Sequence, residues 1–169
     1  ARTADSSGNG YVDQLSIQFS AAVDIIDPNT GADGLPCLTL SGGYVIAPGD
    51  YSALNVTALT VNVVPSSGAP DTSALITATH SAAGGSVINL AGGAAMSDGT
   101  LAPAVDGARP VVVAVAPATP TVVTSATLSM QVTFSEPVSN LVAAGVVASN
   151  AVITSVTRTA ADTFVAVIT

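Results

Sequence analysis

One alternating segment occurs twice in this chain, and it limits what the chain can fold into. Near the start, Leu15, Ile17 and Phe19 alternate with polar residues. The segment Met130 to Ser139 repeats this pattern as Met-Gln-Val-Thr-Phe-Ser-Glu-Pro-Val-Ser. Alternation with a period of two is typical of a β-strand with one side in a core and the other in water. Because the strand recurs, the sequence predicts a modular chain made of β-structure.

Composition also indicates an all-β fold. Aromatic residues make up only 4% of the chain, Trp is absent, and the hydrophobic fraction of 49% comes mainly from Ala and Val. Abundant Thr, Ser and Gly, with ten Pro, favour short strands joined by turns over long helices. Residues 1–4 are expected to enter the next loop without forming a strand. Strands are predicted at 14–24, 38–40, 44–46, 53–64, 74–79, 87–90, 111–115, 126–135, 152–157 and 163–169.

The charge balance excludes two classes of partner. The 169 residues include three Arg, no Lys and eleven acidic residues, which gives a net charge of −8. Binding to nucleic acid or to anionic lipid depends on basic side chains that neutralise phosphates, so we expect neither. We also expect no membrane insertion, since no apolar run approaches the ~18 residues of a membrane span. Charged residues are only 8% of the chain, a composition that we interpret as secreted or surface-exposed.

A change of pattern predicts a domain boundary after residue 105. Residues 102–109 form a short connector without alternation, and Pro110 then opens a Val-rich strand. We predict a first domain over residues 1–105, with an acidic loop at its N-terminus, and a second over residues 106–169. The second copy is short after its repeated strand, so about two strands are expected to be missing. Either the chain is a fragment or another molecule supplies those strands at an open sheet edge.

The loop before the first strand has the spacing of a calcium site. Oxygen-bearing side chains stand at alternate positions, and Gly10 stands where such a loop turns sharply. The same residues also fit a tight Asx turn without any ion, and the sequence leaves both interpretations open. The predicted ligands are Asp5, Ser7, Asn9, Tyr11 through its carbonyl, and Asp13.

A calcium shell would need a further ligand from elsewhere in the chain. Ser16 stands where a bidentate carboxylate usually completes the shell. Asp24, Asp27 and Asp106 are candidates for the missing ligand, and spacing alone does not rank them. A bound ion would stiffen the entry to the first domain and stabilise it by mass action wherever calcium is plentiful.

No constellation of residues predicts catalysis. His80 is the only His and stands at the end of a predicted strand with no nucleophile-elbow motif, so we interpret it as a hydrogen-bonded or solvent-facing side chain and not as a catalytic one. Glu136 is the only Glu, and its place before Pro137 fits a turn better than a glycosidase acid. Cys37 is the only Cys, which fits a small core residue. We therefore predict that the chain is not an enzyme.

Two pairs of segments carry a resemblance to a known family. The first pair consists of residues 3–20 and residues 106–113, with the sequences Thr-Ala-Asp-Ser-Ser-Gly-Asn-Gly-Tyr-Val-Asp-Gln-Leu-Ser-Ile-Gln-Phe-Ser and Asp-Gly-Ala-Arg-Pro-Val-Val-Val. The second pair consists of residues 132–138 and residues 163–169, with the sequences Val-Thr-Phe-Ser-Glu-Pro-Val and Thr-Phe-Val-Ala-Val-Ile-Thr. In these segments the chain resembles tandem bacterial Ig-like repeats, which build S-layer proteins, giant adhesins and other cell-surface proteins.

The resemblance implies two tandem Ig-like β-sandwich domains, the second incomplete at its C-terminus. It implies that Phe134 lies in the core and that Glu136 and Pro137 form a turn. The chain departs from the family pattern at residues 21–22, where the first copy lacks Glu-Pro. It departs again at 117–125, where the second copy has no acidic loop, so a calcium role would rest on the first copy alone.

The resemblance implies a function that is structural rather than chemical. The implied function is that of a non-enzymatic module in a secreted, extracellular or cell-surface protein, such as an S-layer, adhesin stalk or filament subunit. Calcium would stiffen this module. The implied partners are other copies of the chain or neighbouring domains of one long protein. The alternative is an Ig-like module that binds a carbohydrate or a receptor through loops such as Tyr44 to Tyr51.

Overall fold

The structure, a computed structural model, describes residues 1–27, 33–65, 68–84, 87–90, 93–117 and 127–169. In these residues the fold is all-β, as predicted, with short 3₁₀ turns at Ala82–Gly84 and Ala143–Gly145 but no α-helix. Accordingly, none of the described segments forms a helix with the length and hydropathy needed to cross a membrane. The predicted turns at 28–32, 66–67, 85–86 and 91–92, and most of the loop at 117–125 with the start of the following strand, fall outside the described residues.

Twelve strands are present in the described parts of the chain, and every pairing between them is antiparallel. They form three sheets, none closed into a barrel. The strands are β1 (Arg2–Ala4), β2 (Gln14–Ile26), β3 (Leu38–Leu40), β4 (Val45–Ile46), β5 (Ala53–Val64), β6 (Ala78–His80), β7 (Val87–Leu90), β8 (Gly99–Thr100), β9 (Val112–Pro117), β10 (Leu128–Phe134), β11 (Ile153–Arg158) and β12 (Thr163–Ile168).

The chain forms two compact units. The first comprises Ala1–Ser7, Val12–Gly68 and Ala74–Arg109. The second comprises Gly8–Tyr11, Ala69–Ser73 and Pro110–Thr169. By this division residues 106–109 lie in the first unit and two short earlier segments lie in the second, while the domain boundary predicted after residue 105 stays a prediction.

The first unit is sandwich-like, with two sheets around one core. The larger sheet has the order β1-β2-β5-β4, with β7 also paired to β2, and the smaller has the order β3-β6-β8. Leu15 lies opposite Val61 and Ile17 lies opposite Leu59, and all four side chains are buried. Burying an aliphatic side chain of this size contributes about 1.5–3 kcal/mol, so these cross-strand pairs anchor the larger sheet.

Two features of the first unit differ from the sequence prediction. Residues 1–4 were expected to form no strand, yet β1 pairs with β2 and places Thr3 opposite Leu15. Thr3 is buried, and its N–H donates to the carbonyl of Val105 at 3.0 Å. A three-residue polar strand carries no readable period, so its pairing partner decides its conformation. β2 also ends two residues later than predicted, at Ile26, because Ile25 and Ile26 pair with Ile88 and Val87 of β7.

The second unit contains one sheet in its described residues, with the order β9-β10-β12-β11. Val132 lies at its centre, opposite Val115 on one side and Phe164 on the other. The rings of Phe134 and Phe164 meet edge to face, with centroids 5.9 Å apart, a favourable aromatic geometry. Phe164 is buried whereas Phe134 is only half-buried, so the expected core position of Phe134 is partly exposed here.

The two units share one strand order. In the larger sheet of the first unit, β1, β2, β4 and β5 appear in the order first, second, fourth, third. In the second unit, β9, β10, β11 and β12 appear in the same order. The repeated alternating segment therefore occupies the same place in both sheets, as β2 in one and β10 in the other.

Candidate functional site

The loop between β1 and β2 is closed by the carboxylate of Asp13. Its Oδ1 accepts the N–H of Ser6 at 2.7 Å and the hydroxyl of Ser6 at 2.9 Å. Its Oδ2 accepts the N–H of Ser7 at 3.0 Å. Both carboxylate oxygens therefore bind donors from two successive residues, which satisfies the backbone where the chain turns away from β1.

Three of the five predicted calcium ligands are brought together in the first unit. Asp5, Ser7 and Asp13 share the same short loop, and the hydroxyl of Ser7 donates to Oδ1 of Asp5 at 3.3 Å. Ser6, which the sequence analysis did not single out, gives Asp13 two of its hydrogen bonds. The only sequence signal for this role of Ser6 is its position seven residues before Asp13. Such a Ser and Asp spacing is common in loops and is therefore not specific.

The other two predicted ligands, Asn9 and Tyr11, belong to the second unit. The N–H of Tyr11 donates to Oδ1 of Asn9 at 2.9 Å, which is the bond of an Asx turn. Gly8 and Gly10 on either side of Asn9 have φ of 71° and 89°, in the left-handed region that favours glycine. A sharp turn at Gly10 was expected, and both the calcium and the Asx-turn interpretations require it.

The electrostatics of the loop keep Asp13 ionised. Burial raises the pKa of its carboxyl, but the hydrogen bonds from Ser6 and Ser7 together outweigh burial, so the pKa lies below its ordinary value of 3.8. Hydrogen bonds of this kind stabilise the charged form of a carboxylate. The negative charge is therefore present at neutral pH and is already engaged by protein donors.

The three candidates for a further calcium ligand lie in different surroundings. Asp24 Oδ1 accepts the N–H of Asn55 at 2.8 Å, and Asn55 has a φ of 54°. Asp27 is buried, whereas Asp106 is exposed. In the part of the chain that the structure describes, no three Asp, Glu, His or Cys side chains are grouped to hold a metal ion. Calcium binding stays a prediction, and the turn interpretation accounts for the contacts of the loop.

The residues considered for catalysis are buried. His80 on β6 is 1% exposed, and its Nδ1 lies 3.2 Å from the carbonyl oxygen of Ser97. Cys37 is also fully buried, and burial, with a smaller contribution from the charge of Asp27, raises the pKa of its thiol to about 11. Because the thiolate is the nucleophilic form, Cys37 is unreactive near neutral pH. Glu136 is buried in the second unit.

The burial of the aromatic residues Tyr44 and Tyr51 argues against a sugar-binding role for the loop between them. Tyr44 and Tyr51 are both buried in the core of the first unit. The hydroxyl of Tyr51 donates to the carbonyl of Ala47 at 2.8 Å, and burial raises the pKa of Tyr51. A ring packed in a core cannot serve as a stacking platform for a carbohydrate.

The second unit has an apolar concavity that the sequence analysis did not identify. It has a volume of about 400 Å³ and lies on one face of the sheet. Met130, Val132 and Phe134 of β10 line it together with Ala166 and Ile168 of β12. None of the residues lining it carries a charged side chain. Such a surface fits apolar packing and offers no polar groups for acid–base chemistry.

No protein-family model, no curated protein and no solved structure matches this chain. Its function therefore has to be inferred from its own residues, contacts and topology.

Proposed function

We propose that this chain is a non-enzymatic structural module of a secreted cell-surface protein, such as an S-layer, an adhesin stalk or an extracellular filament subunit. In this proposal both compact units are versions of one Ig-like β-sandwich. The partners are other copies of the chain or neighbouring domains of the same long protein. The module serves as mechanical material, and its location is extracellular.

The observation that carries the proposal is the shared strand order of the two units. Four strands of the larger sheet of the first unit and the four strands of the second unit's sheet both run first, second, fourth, third, and the larger sheet has β7 beside β2 in addition. Chains that repeat one β-module are suited to extension, because each module folds around its own apolar interior and adds length. Few charges and abundant Ser, Thr and Gly fit a module exposed to solvent outside the cell.

The chemistry of the described residues fits a structural role better than a catalytic one. The nucleophile Cys37 is buried with a raised pKa, and the concavity of the second unit is lined by apolar side chains. The carbohydrate-binding alternative is less favoured, because Tyr44 and Tyr51 are core residues. Calcium stiffening through Asp5 and Asp13 stays part of the proposal as a testable option.

Surface labelling tests the proposal directly. Antibodies raised against the purified chain are expected to label intact cells of the source organism as strongly as permeabilised cells. An antibody against a cytoplasmic marker is the control and should label permeabilised cells only. Label that appears only after permeabilisation would refute a cell-surface location.

A mechanical measurement tests the structural role independently of location. When the chain is pulled between its termini in a single-molecule force experiment, each compact unit is expected to unfold as a separate event. If the chain extends without any discrete unfolding event, it is not a load-bearing module. If the whole chain unfolds in one event, the two units do not unfold separately.

A further inference from the structure

The sheet of the second unit has one apolar face that no second sheet covers within the described residues of that unit. Val112 and Val115 of β9 border the concavity on this face and are 53% and 58% exposed. Ile153 of β11 lines the opposite border. An aliphatic face of this extent on a four-stranded sheet is normally packed against another layer.

The first unit indicates how the equivalent face is covered, because its positions correspond pair by pair. Ile17 lies opposite Leu59 as Val132 lies opposite Phe164. Two residues along, Leu15 lies opposite Val61 as Met130 lies opposite Ala166. At the edge, Ile46 of β4 lies opposite Val63 as Ile153 of β11 lies opposite Ile168.

In the first unit these positions are covered by the smaller sheet. Leu38 of β3, Ala78 of β6 and the preceding Ile76 are at most 5% exposed and belong to the same core as Leu15. Leu15 itself is 0% exposed. The chain between residues 74 and 104 supplies β6 and β8, two of the three strands of that covering sheet, and also β7, which pairs with β2 in the larger sheet.

In the second unit the cover is partial. The segment between β10 and β11 occupies the place that β3 has in the first unit, and it contributes Leu141, Val146 and Val147 to the wall of the concavity. Val132, Phe164 and Ala166 are buried like their equivalents in the first unit, but Met130 is only half-buried where the equivalent Leu15 is fully buried. Val147 is 94% exposed, and Val112 and Val115 at the border are more than half exposed. No described strand of the second unit follows β12 to play the part of β6 and β8.

We infer that the apolar face of the second unit is a docking site for a polypeptide segment that packs on it as β6, β8 and the preceding Ile76 pack in the first unit. The occupant is an uncharged segment that forms short extended strands with alternating small or aliphatic side chains. Charge agrees with this choice, since the lining of the concavity has no charged side chain and residues 74–104 contain a single one, Asp98. The inference does not depend on the cellular location in the proposed function.

The test supplies such a segment in cis. The full chain is extended after Thr169 by a Gly/Ser linker of about 15 residues, with a span of roughly 20 Å, and a second copy of residues 74–104. The amides of β10 and β12 are expected to exchange with solvent about tenfold more slowly or better than in the parent chain, because docking closes the exposed face. The matched control carries Ile76→Asp and Ala78→Asp in the added copy only and should exchange at the parent rate.

A change on the receiving face separates docking from a general effect of the tail. Val115→Asp alters a side chain that is 58% exposed, so the unit is expected to fold, and it should abolish the slower exchange that the tail confers. Equal exchange with the intact and the control tail would overturn the inference. Self-association of the parent chain in sedimentation that Val115→Asp abolishes would also overturn it, because the occupant would then be a second copy.

Discussion

The carboxylate of Asp13 offers the sharpest test of what the acidic loop does. In Asp13→Asn, Oδ1 can still accept both bonds from Ser6, but the group that replaces Oδ2 is a donor facing the N–H of Ser7 at a site where the distance is now 3.0 Å. Losing one charge-assisted bond at the partly buried carboxylate, whose donors Ser6 and Ser7 are exposed, and placing two donors together costs about 1–2 kcal/mol of unfolding free energy. Asp71→Asn is the matched control, because both bonds to Asp71 from Ser73 go to Oδ1.

Urea unfolding of the parent chain and both variants measures the change in unfolding free energy. Amide hydrogen exchange at Ser6 and Ser7 in the folded proteins measures the local loss of protection. Each protein is compared with a chelator and with about 5 mM calcium, since a ligand present at a hundred times its Kd stabilises the folded state by about 2.7 kcal/mol. If the loop is only a turn, Asp13→Asn should lose about 1–2 kcal/mol both with chelator and with calcium. If the loop binds calcium, the parent chain and Asp71→Asn should gain additional stability in calcium that Asp13→Asn does not gain.

The pH dependence supplies the sign of the same effect. The pKa of Asp13 is lowered from 3.8 in the folded chain, so the unfolded state takes up the proton first as pH falls. The stability that the charged carboxylate contributes is therefore fully present above about pH 4 and is lost as pH falls through the lower folded pKa. The difference between the parent chain and Asp13→Asn should shrink in that acidic window. An unchanged unfolding free energy in Asp13→Asn at pH 7 would refute the assigned role of the carboxylate.

Three further changes test the packing of the units. Gly10→Ala should destabilise the second unit by roughly 3 kcal/mol, because the φ of Gly10 is 89° and a Cβ there would lie 2.9 Å from a proline side chain. Gly8→Ala is the control and should cost roughly 1 kcal/mol, because Gly8 has a φ of 71° but open space around it. A denaturant titration measures both costs. Leu15→Ala should cost about 3 kcal/mol and the equivalent Met130→Ala only about 1 kcal/mol, and equal costs would contradict the difference in cover. Cys37 should resist iodoacetamide at pH 8 in the folded chain and react in urea, as mass spectrometry will report, because its pKa is about 11.

The strands that the sequence predicts well are those with a clear period. Leu15, Ile17 and Phe19 read as one face of a strand, and the first two are buried in β2. The two- and three-residue strands β1 and β8 escape such reading, because so few residues define no period and their conformation comes from the partner strand. The segment at 74–79 was predicted as a strand, but pairing begins only at Ala78.

The candidate site divides in the same way between local and distant information. The positions of oxygen-bearing side chains around Gly10 are visible in the sequence, but the donors that Asp13 accepts are not, since Ser6 and Ser7 are seven and six residues away. Tyr44 and Tyr51 looked like surface aromatics of a turn-rich loop. Their burial depends on the sheets that close over them, which residue type and spacing do not specify.

By itself the sequence determined that this chain is β-structured, because alternation and β-branched composition act within each strand, and that it lacks the basic side chains needed to bind phosphates. Tertiary structure decided which strands pair, since the order first, second, fourth, third arises from contacts between residues far apart in the chain. It also decided that Leu15 is fully buried while the equivalent Met130 is only partly buried. Both residues have the same local pattern, and they differ in how completely other segments of the chain cover them.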